Sequence, residues 1–328
     1  MLIPRLLLCL ALVTVAQDSH AQTPSHLTPA EIEARAQRAA SLKTLIESSP
    51  RLPLTQHDLP VHLPAGQELG KVSWIARDPK TGTLWLIQRG DKADPVIAID
   101  PQGHILHSFG KGLYTIPHAI RLDPEGNVWT VDAASSRVLK YSPEGKELLR
   151  IEVGGQPDIS NPFKGTTDIT FAPHDRIFLS DGYGNARILE YTNAGKPVRE
   201  WGTHGTGPSQ FHLPHSIVVD ENQILYVADR ENGRIQKFSL EGKLLGQIGG
   251  LGRTYSLALG LNGTLWAGTA PLNAPTGAPG WIVQLDRKSG KILGYVPVTE
   301  SGGLHTVEDD GHGNPMTTID NRIVAFTP

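Results

Sequence analysis

Three histidines stand in one register of this chain. His118 lies five residues before Asp123, His215 five before Asp220 and His305 five before Asp310. Neutral imidazoles are good ligands for a divalent ion such as Zn²⁺, and three of them leave a fourth tetrahedral position open for water or substrate. His212, three residues before His215, is expected in a loop, and His312 in a solvated turn. Other reactive side chains recur near the same rim. Arg89 and Arg230 each follow a strand aromatic, Trp85 and Tyr226, by four residues. Tyr183 sits in Ser180-Asp181-Gly182-Tyr183-Gly184-Asn185, where glycines free the backbone to present the ring. A guanidinium's planar fork matches the two oxygens of a carboxylate. A tyrosine beside a metal ion and arginines has its anionic form stabilised and can act as a general base.

The elements that must position these groups form a repeat. A short apolar strand, a turn of the Asp-Pro-x-Gly-Asn kind and a strand opening on an aromatic recur every 40 to 50 residues, most cleanly in Asp123-Pro124-Glu125-Gly126-Asn127-Val128-Trp129. Related copies end at Trp85, Phe178, Tyr226 and Trp266, and a degenerate one runs from Asp310 to Asn314, making six. A second signature, Arg137 to Lys146, returns as Arg187 to Lys196 and Arg234 to Lys243. Four short strands per repeat, separated by Gly, Pro, Asp and Asn turns, predict an all-β, six-bladed β-propeller in which each blade is covered by its neighbours. The three histidines belong to the second, fourth and sixth repeats, at the start of the innermost strand. An approximate threefold axis then carries all three rings to one point, with Ser73, Thr167 and Tyr255 at the matching places between them. The last strand, Arg322 to Phe326, is expected to close the ring against the segment near Leu54 to Leu63. Asp132/Arg137, Asp181/Arg187 and Asp229/Arg234 are assigned to blade-holding ion pairs or turn hydrogen bonds.

Residues 1–21 read as a signal peptide: Arg5 supplies the positive start, Leu6 to Val15 the apolar core, and Ala21 or Ala16 the cleavage site. The apolar run is too short for a permanent membrane anchor, and the expected location is secreted or periplasmic. Cys9 is the only cysteine, so the mature chain has no thiol and any metal must use His, carboxylate or carbonyl ligands. Residues 22–65 are read as a helix and linker and 66–328 as the propeller. Thr28-Pro29-Ala30-Glu31 is a capping box, and Ile32, Ala36, Ala39, Leu42, Leu45 and Ile46 form a helical stripe. With 30 basic and 33 acidic residues the surface is close to neutral, and no basic–aromatic interleaving points to nucleic acid.

The segment from Trp201 to Gln236 resembles the NHL repeat. From about Val72 to Asp320 the chain resembles the peptidyl-α-hydroxyglycine α-amidating lyases, through Ile116-Pro117-His118, Ser180-Asp181-Gly182-Tyr183, Leu213-Pro214-His215-Ser216 and Val227 to Gln236. The resemblance implies a zinc held by His118, His215 and His305, with Tyr183, Arg89 and Arg230 as catalytic residues. The reaction it implies splits the N–C bond of a C-terminal α-hydroxyglycine into an amide and glyoxylate. Tyr183 takes a proton, Arg89 favours the tyrosinate or holds the carboxylate, and Arg230 helps to bind the acid end. It implies a small N-acyl or peptidyl hydroxyglycine substrate, supplied by a separate hydroxylating enzyme or replaced by a different N-acyl carbinolamide. It also implies a structural Ca²⁺ on the backbone carbonyls of Ile75 and Ile120 and on an Asp after the third histidine. Here that neighbour is Thr306, a weak calcium ligand, so calcium stays open. Two other readings stay open as well, a metal-dependent propeller hydrolase or lactonase and a non-catalytic NHL interaction module.

Overall fold

The turns set the architecture. In Asp123-Pro124-Glu125-Gly126-Asn127 the Asp123 carboxylate accepts hydrogen bonds from the Asn127 backbone N–H at 2.8 Å and the Trp129 indole N–H at 2.9 Å. Gly126 completes the reversal at φ +89°, a left-handed conformation that a side chain would resist. The turn thus delivers Trp129, fully buried, into the blade. Tyr226 repeats the contact by donating its hydroxyl to Asp220 at 3.2 Å. In the third repeat the aromatic is Phe178, which has no polar tip, and the aspartate position is Ala172.

The computed structural model describes residues 29–328 except residue 273, and it is a six-bladed β-propeller preceded by one helix. Each blade is a four-stranded antiparallel sheet. The innermost strands are Val72–Arg77, Pro117–Leu122, Asp168–Ala172, Pro214–Val219, Arg253–Leu259 and Val307–Asp309, and they touch one another in a closed ring. Blades 1 to 5 add their strands outward in chain order. Blade 6 runs Val307–Asp309, Pro315–Ile319, Arg322–Thr327 and then Thr55–Leu59, so its outermost strand comes from the other end of the chain. That strand, lying in the segment read as linker, is the predicted closure, paired from Thr55↔Thr327 to Leu59↔Ile323.

The helix Pro29–Glu47 packs Leu42 and Ile46 into a cluster with Val218, Tyr226 and Leu257 of blades 4 and 5. Leu45 is 47% exposed, so the buried stripe is narrower than predicted. Ile32, Ala36, Ala39, the capping box's Thr28 and the predicted signal peptide lie outside the residues and side chains described. Among the described residues no helix is long and apolar enough to cross a membrane. Two of the three predicted Asp/Arg pairs form, Arg187 Nε to Asp181 at 2.8 Å and Arg234 Nε to Asp229 at 2.7 Å. The third does not. Asp132 accepts the backbone N–H groups of Thr115, Ile116, Ala134 and Ser135 instead, and Arg137 turns to Glu152 at 3.4 Å.

Ring closure by Thr55–Leu59 yields a test. A chain beginning at Leu63 loses a five-pair ladder, worth on the order of 5 kcal/mol at about 1 kcal/mol per hydrogen bond, together with the core packing of Leu42 and Ile46. Urea unfolding of the truncated protein should show that loss. An unchanged midpoint would mean that the closure contributes nothing.

Candidate metal centre

The histidines are aimed by irregularities in the inner strands. Pairing in blade 2 skips from Pro117 to Ala119, leaving His118 as the extra residue of a β-bulge, and in blade 4 it skips from Pro214 to Ser216, leaving His215. Ser73 and Tyr255 are bulged in the same way in blades 1 and 5. A bulge breaks the two-residue alternation and re-aims its side chain, here toward the axis. His305 precedes its strand, and Leu304 before it is held at φ +69°, an uncommon conformation for a bulky residue.

Neighbouring blades then lock each ring. The hydroxyl of the preceding blade donates to the carbonyl just before each histidine: Ser73 to Pro117 at 2.9 Å, Thr167 to Pro214 at 2.8 Å and Ser256 to Leu304 at 3.1 Å. The following blade accepts from each ring: Nδ1 of His118 lies 2.6 Å from the Thr167 carbonyl, that of His215 2.5 Å from Tyr255, and that of His305 2.8 Å from Ser73. A carbonyl can only accept, so Nδ1 carries the proton and Nε2 keeps its lone pair. The predicted in-between residues Ser73, Thr167 and Tyr255 are therefore the supports of the ligands. The rings lie 4.6 to 5.0 Å apart by centroid, and one nitrogen of each lies within 4.8 Å of the others. Burial, reinforced by the neighbouring imidazoles and guanidiniums, holds all three well below the ordinary histidine value of 6.5. Three neutral imidazoles with oriented lone pairs fit a single divalent ion. His212 is exposed and tilts against His204 at 4.9 Å, outside the cluster, and His312 is exposed in its turn.

Tyr183 joins the cluster as its position in the sequence suggested. Its hydroxyl is 3.0 Å from Nε2 of His118 and 3.2 Å from Nε2 of His215. The expected lowering of its pKa is not what the protein groups produce. Burial raises it, and the opposing pull of Arg230 and Arg89 does not reverse the direction. Arg89 donates Nε to the Pro117 carbonyl at 2.9 Å, beside His118, while its Nη2 is buried without a partner. Arg230 donates Nε to Glu231 at 2.8 Å and lies 5.9 Å from the Tyr183 ring centre. Sequence reasoning missed four further residues. Phe163 sits 5.1 Å from the Tyr183 ring and 5.5 Å from the Arg89 guanidinium. Glu231 also holds Arg253 at 2.8 Å, and Trp74, fully buried, lies 5.7 to 6.4 Å from all three histidine rings as the floor of the site.

At the positions that the resemblance assigns to calcium, Ile75 and Ile120 are fully buried on inner strands. Thr306 brings no charge and its buried hydroxyl has no partner. A guanidinium, that of Arg121, already lies against the Leu257 carbonyl, which matches those of Ile75 and Ile120 in register.

Fold and site together define an NHL-type propeller around an axial three-histidine cluster. Residues 211–238 match the family model described as NHL repeat. The chain is 37% identical over 206 residues to peptidylglycine alpha-amidating monooxygenase of Rattus norvegicus, covering 53% of this chain and 21% of that protein. It is 35% identical over 156 residues to peptidyl-alpha-hydroxyglycine alpha-amidating lyase 1 of Drosophila melanogaster, covering 44% of this chain and 29% of the relative. The chain thus spans between a fifth and a third of these curated relatives. A streptogramin B lyase structure superimposes with a TM-score of 0.56 at 16% identity, over 83% of this chain and 97% of that one, a likeness of fold alone. By sequence the chain is similar to the amidating lyases over about half of its length, and residues 211–238 carry an NHL repeat.

The neutral histidines set a pH dependence for chelated, metal-free protein. Their folded pKa values lie below 6.5. Below that pH the unfolded chain therefore binds more protons, and stability is fully present above pH 6.5 and falls as the pH drops. With three protons in play the slope reaches up to about 4 kcal/mol per pH unit. Urea titrations at a series of pH values from about 5 to 7.5 measure it against His118→Gln, which should flatten it by up to about a third. A wild-type profile already flat below pH 6.5 would show that the folded rings are charged.

Proposed function

We propose that this chain is a zinc-dependent lyase that cleaves the N–C bond of an N-acyl- or peptidyl-α-hydroxyglycine, giving an amide and glyoxylate. One observation carries the reading: three neutral imidazoles with their Nε2 lone pairs turned to a shared point, a tyrosine hydroxyl at 3.0 and 3.2 Å from two of them, and two arginines beside it. His118, His215 and His305 would hold the ion. Bound there, zinc supplies Lewis-acid polarisation of the substrate's α-hydroxyl.

The protein's own residues supply the rest. Tyr183, as its tyrosinate, would accept the hydroxyl proton. The O–H electrons become the new C=O bond of glyoxylate, the C–N bond breaks, and the amide nitrogen leaves with its electron pair and takes up a proton. Tyr183 can return one, which closes the proton balance without another acid. The buried Nη2 of Arg89 is a donor without a protein partner, placed to take an oxygen of the substrate carboxylate. Arg230, anchored through Glu231 and so indirectly by Arg253, offers a second guanidinium for the same acid end. Both positive charges also favour the tyrosinate from which the step starts. The ligand cluster is all histidine, which sets this centre apart from the carboxylate and Asn sites expected of propeller lactonases.

Incubation of the mature protein with an N-acyl-α-hydroxyglycine should release glyoxylate, and a chelator should abolish the release. No glyoxylate from fully zinc-loaded protein would end the proposal. Tyr183→Phe should lower kcat by about 10²-fold or more while metal analysis still finds one zinc. His305→Ala should lose zinc and activity together while the circular-dichroism spectrum is kept. Zinc retained in that variant would mean that the third ligand is another residue.

A further inference from the structure

Along the channel axis each inner strand presents equivalent groups at successive levels. One residue beyond the histidine register lie Trp74, Asp168, Ser216 and Thr306, and two beyond it lie Ile75, Ile120, Ile217 and Leu257. The only ionisable side chain named at the first of these levels is Asp168, half-way round the ring from Thr306. Its carboxylate is fully buried and already engaged. It accepts from Arg121 Nε at 3.1 Å and Nη2 at 2.8 Å, from Ser216 Oγ at 2.9 Å, and from the backbone N–H groups of Ile169 at 2.8 Å and Ile217 at 3.1 Å.

The Arg121 guanidinium does more than neutralise that charge. It lies 5.0 Å from the Trp74 ring centre of blade 1, donates to the Leu257 carbonyl of blade 5 at 3.3 Å and stands 3.8 Å from Glu308 of blade 6. Arg121 itself comes from blade 2 and Asp168 from blade 3, and Asp168 in turn holds Ser216 and Ile217 of blade 4. Ser216 Oγ passes the connection on by accepting from the Leu257 backbone N–H at 3.1 Å. One planar cation and its counter-ion thus join all six blades at the axis. Contacts to an inner-strand carbonyl and a carboxylate are of the kind a divalent ion would make.

We propose that Arg121 is the axial structural cation of this propeller, a covalently attached charge in the role of a bound calcium ion, and that the chain consequently takes up no structural calcium. The proposal is independent of the reaction at the histidine centre. Its test is thermal unfolding of the zinc-loaded full chain, with metal analysis. Millimolar calcium should leave the wild-type melting temperature unchanged, and purified protein should contain no stoichiometric calcium. Arg121→Met should lower the melting temperature by about 5–10 °C, because it leaves a buried carboxylate uncompensated. Asp168→Asn should also lower it, and Arg121→Met/Asp168→Asn should lose clearly less than the sum of the two, which bulk packing of a long side chain would not produce. If Arg121→Met does not fold, Arg121→Lys, which keeps the charge and loses the fork, should fold and melt below wild type. One calcium per chain, a calcium-dependent rise in the wild-type melting temperature, or variants that melt like wild type would each overturn the assignment.

Discussion

Everything at the upper end of the channel depends on one interaction made three times: an imidazole Nδ1–H donating to a backbone carbonyl of the next blade. It fixes the tautomer, orients Nε2 and ties the ligand geometry to the angle between adjacent blades. Carbonyls at the matching register are available because every blade repeats the same strand. A displacement of one blade against the next would therefore break a ligand's support before it broke the ladder within a blade. The hydroxyls of Ser73, Thr167 and Ser256 reinforce this by holding the carbonyl that precedes each histidine. The centre is a property of the closed ring, and the Thr55–Leu59 strand is part of what closes it.

The electrostatic balance at Tyr183 follows from the same burial. Desolvation holds the imidazoles neutral, as ligands must be, but it also raises the cost of a tyrosinate. Two guanidiniums offset only part of that cost. A positive ion at the Nε2 atoms would add the missing attraction at short range, in a site where little water screens it. Phenol reactivity and metal occupancy are coupled in such a geometry. Phe163, tilted against the Tyr183 ring and 5.5 Å from the Arg89 guanidinium, adds to the burial.

Much of this was legible in the chain. The Asp-x-x-Gly-Asn turns are local, so they announce the blades, and counting back from each turn aspartate places His118, His215 and His305 in one register. Ring closure was legible too, because a propeller needs an outer strand for its last blade. What escaped was whatever depends on packing between blades. Trp74 resembles any buried tryptophan until the ring sets it beneath three imidazoles. Arg121 and Asp168 are 47 residues apart, and no spacing rule connects them. Of the two roles expected for Asp132/Arg137, turn hydrogen bonds replace the ion pair for a local reason: four backbone N–H groups already engage Asp132, so the arginine is drawn to Glu152. The bulges that aim the ligands have no sequence mark, since they fall on a serine, two histidines and a tyrosine alike.

A divalent ion at the histidines would give the channel two positive levels, and these would have to tolerate each other. His118 and Arg121 lie on one strand, three residues or roughly 10 Å apart along it, and a divalent ion above a bare guanidinium would be repelled. Two features reduce that cost. Trp74 lies between the levels, taking the guanidinium on its ring at 5.0 Å and the imidazoles at 5.7 to 6.4 Å. Asp168 cancels the Arg121 charge, and Glu308, 3.8 Å from the guanidinium and pushed up to about 7 by burial, adds negative charge as the pH rises through neutrality. The lower level is therefore neutral or slightly negative as seen from above. An axial arginine and an axial metal ion can share one channel because the carboxylate belongs to the arginine and the imidazoles to the metal.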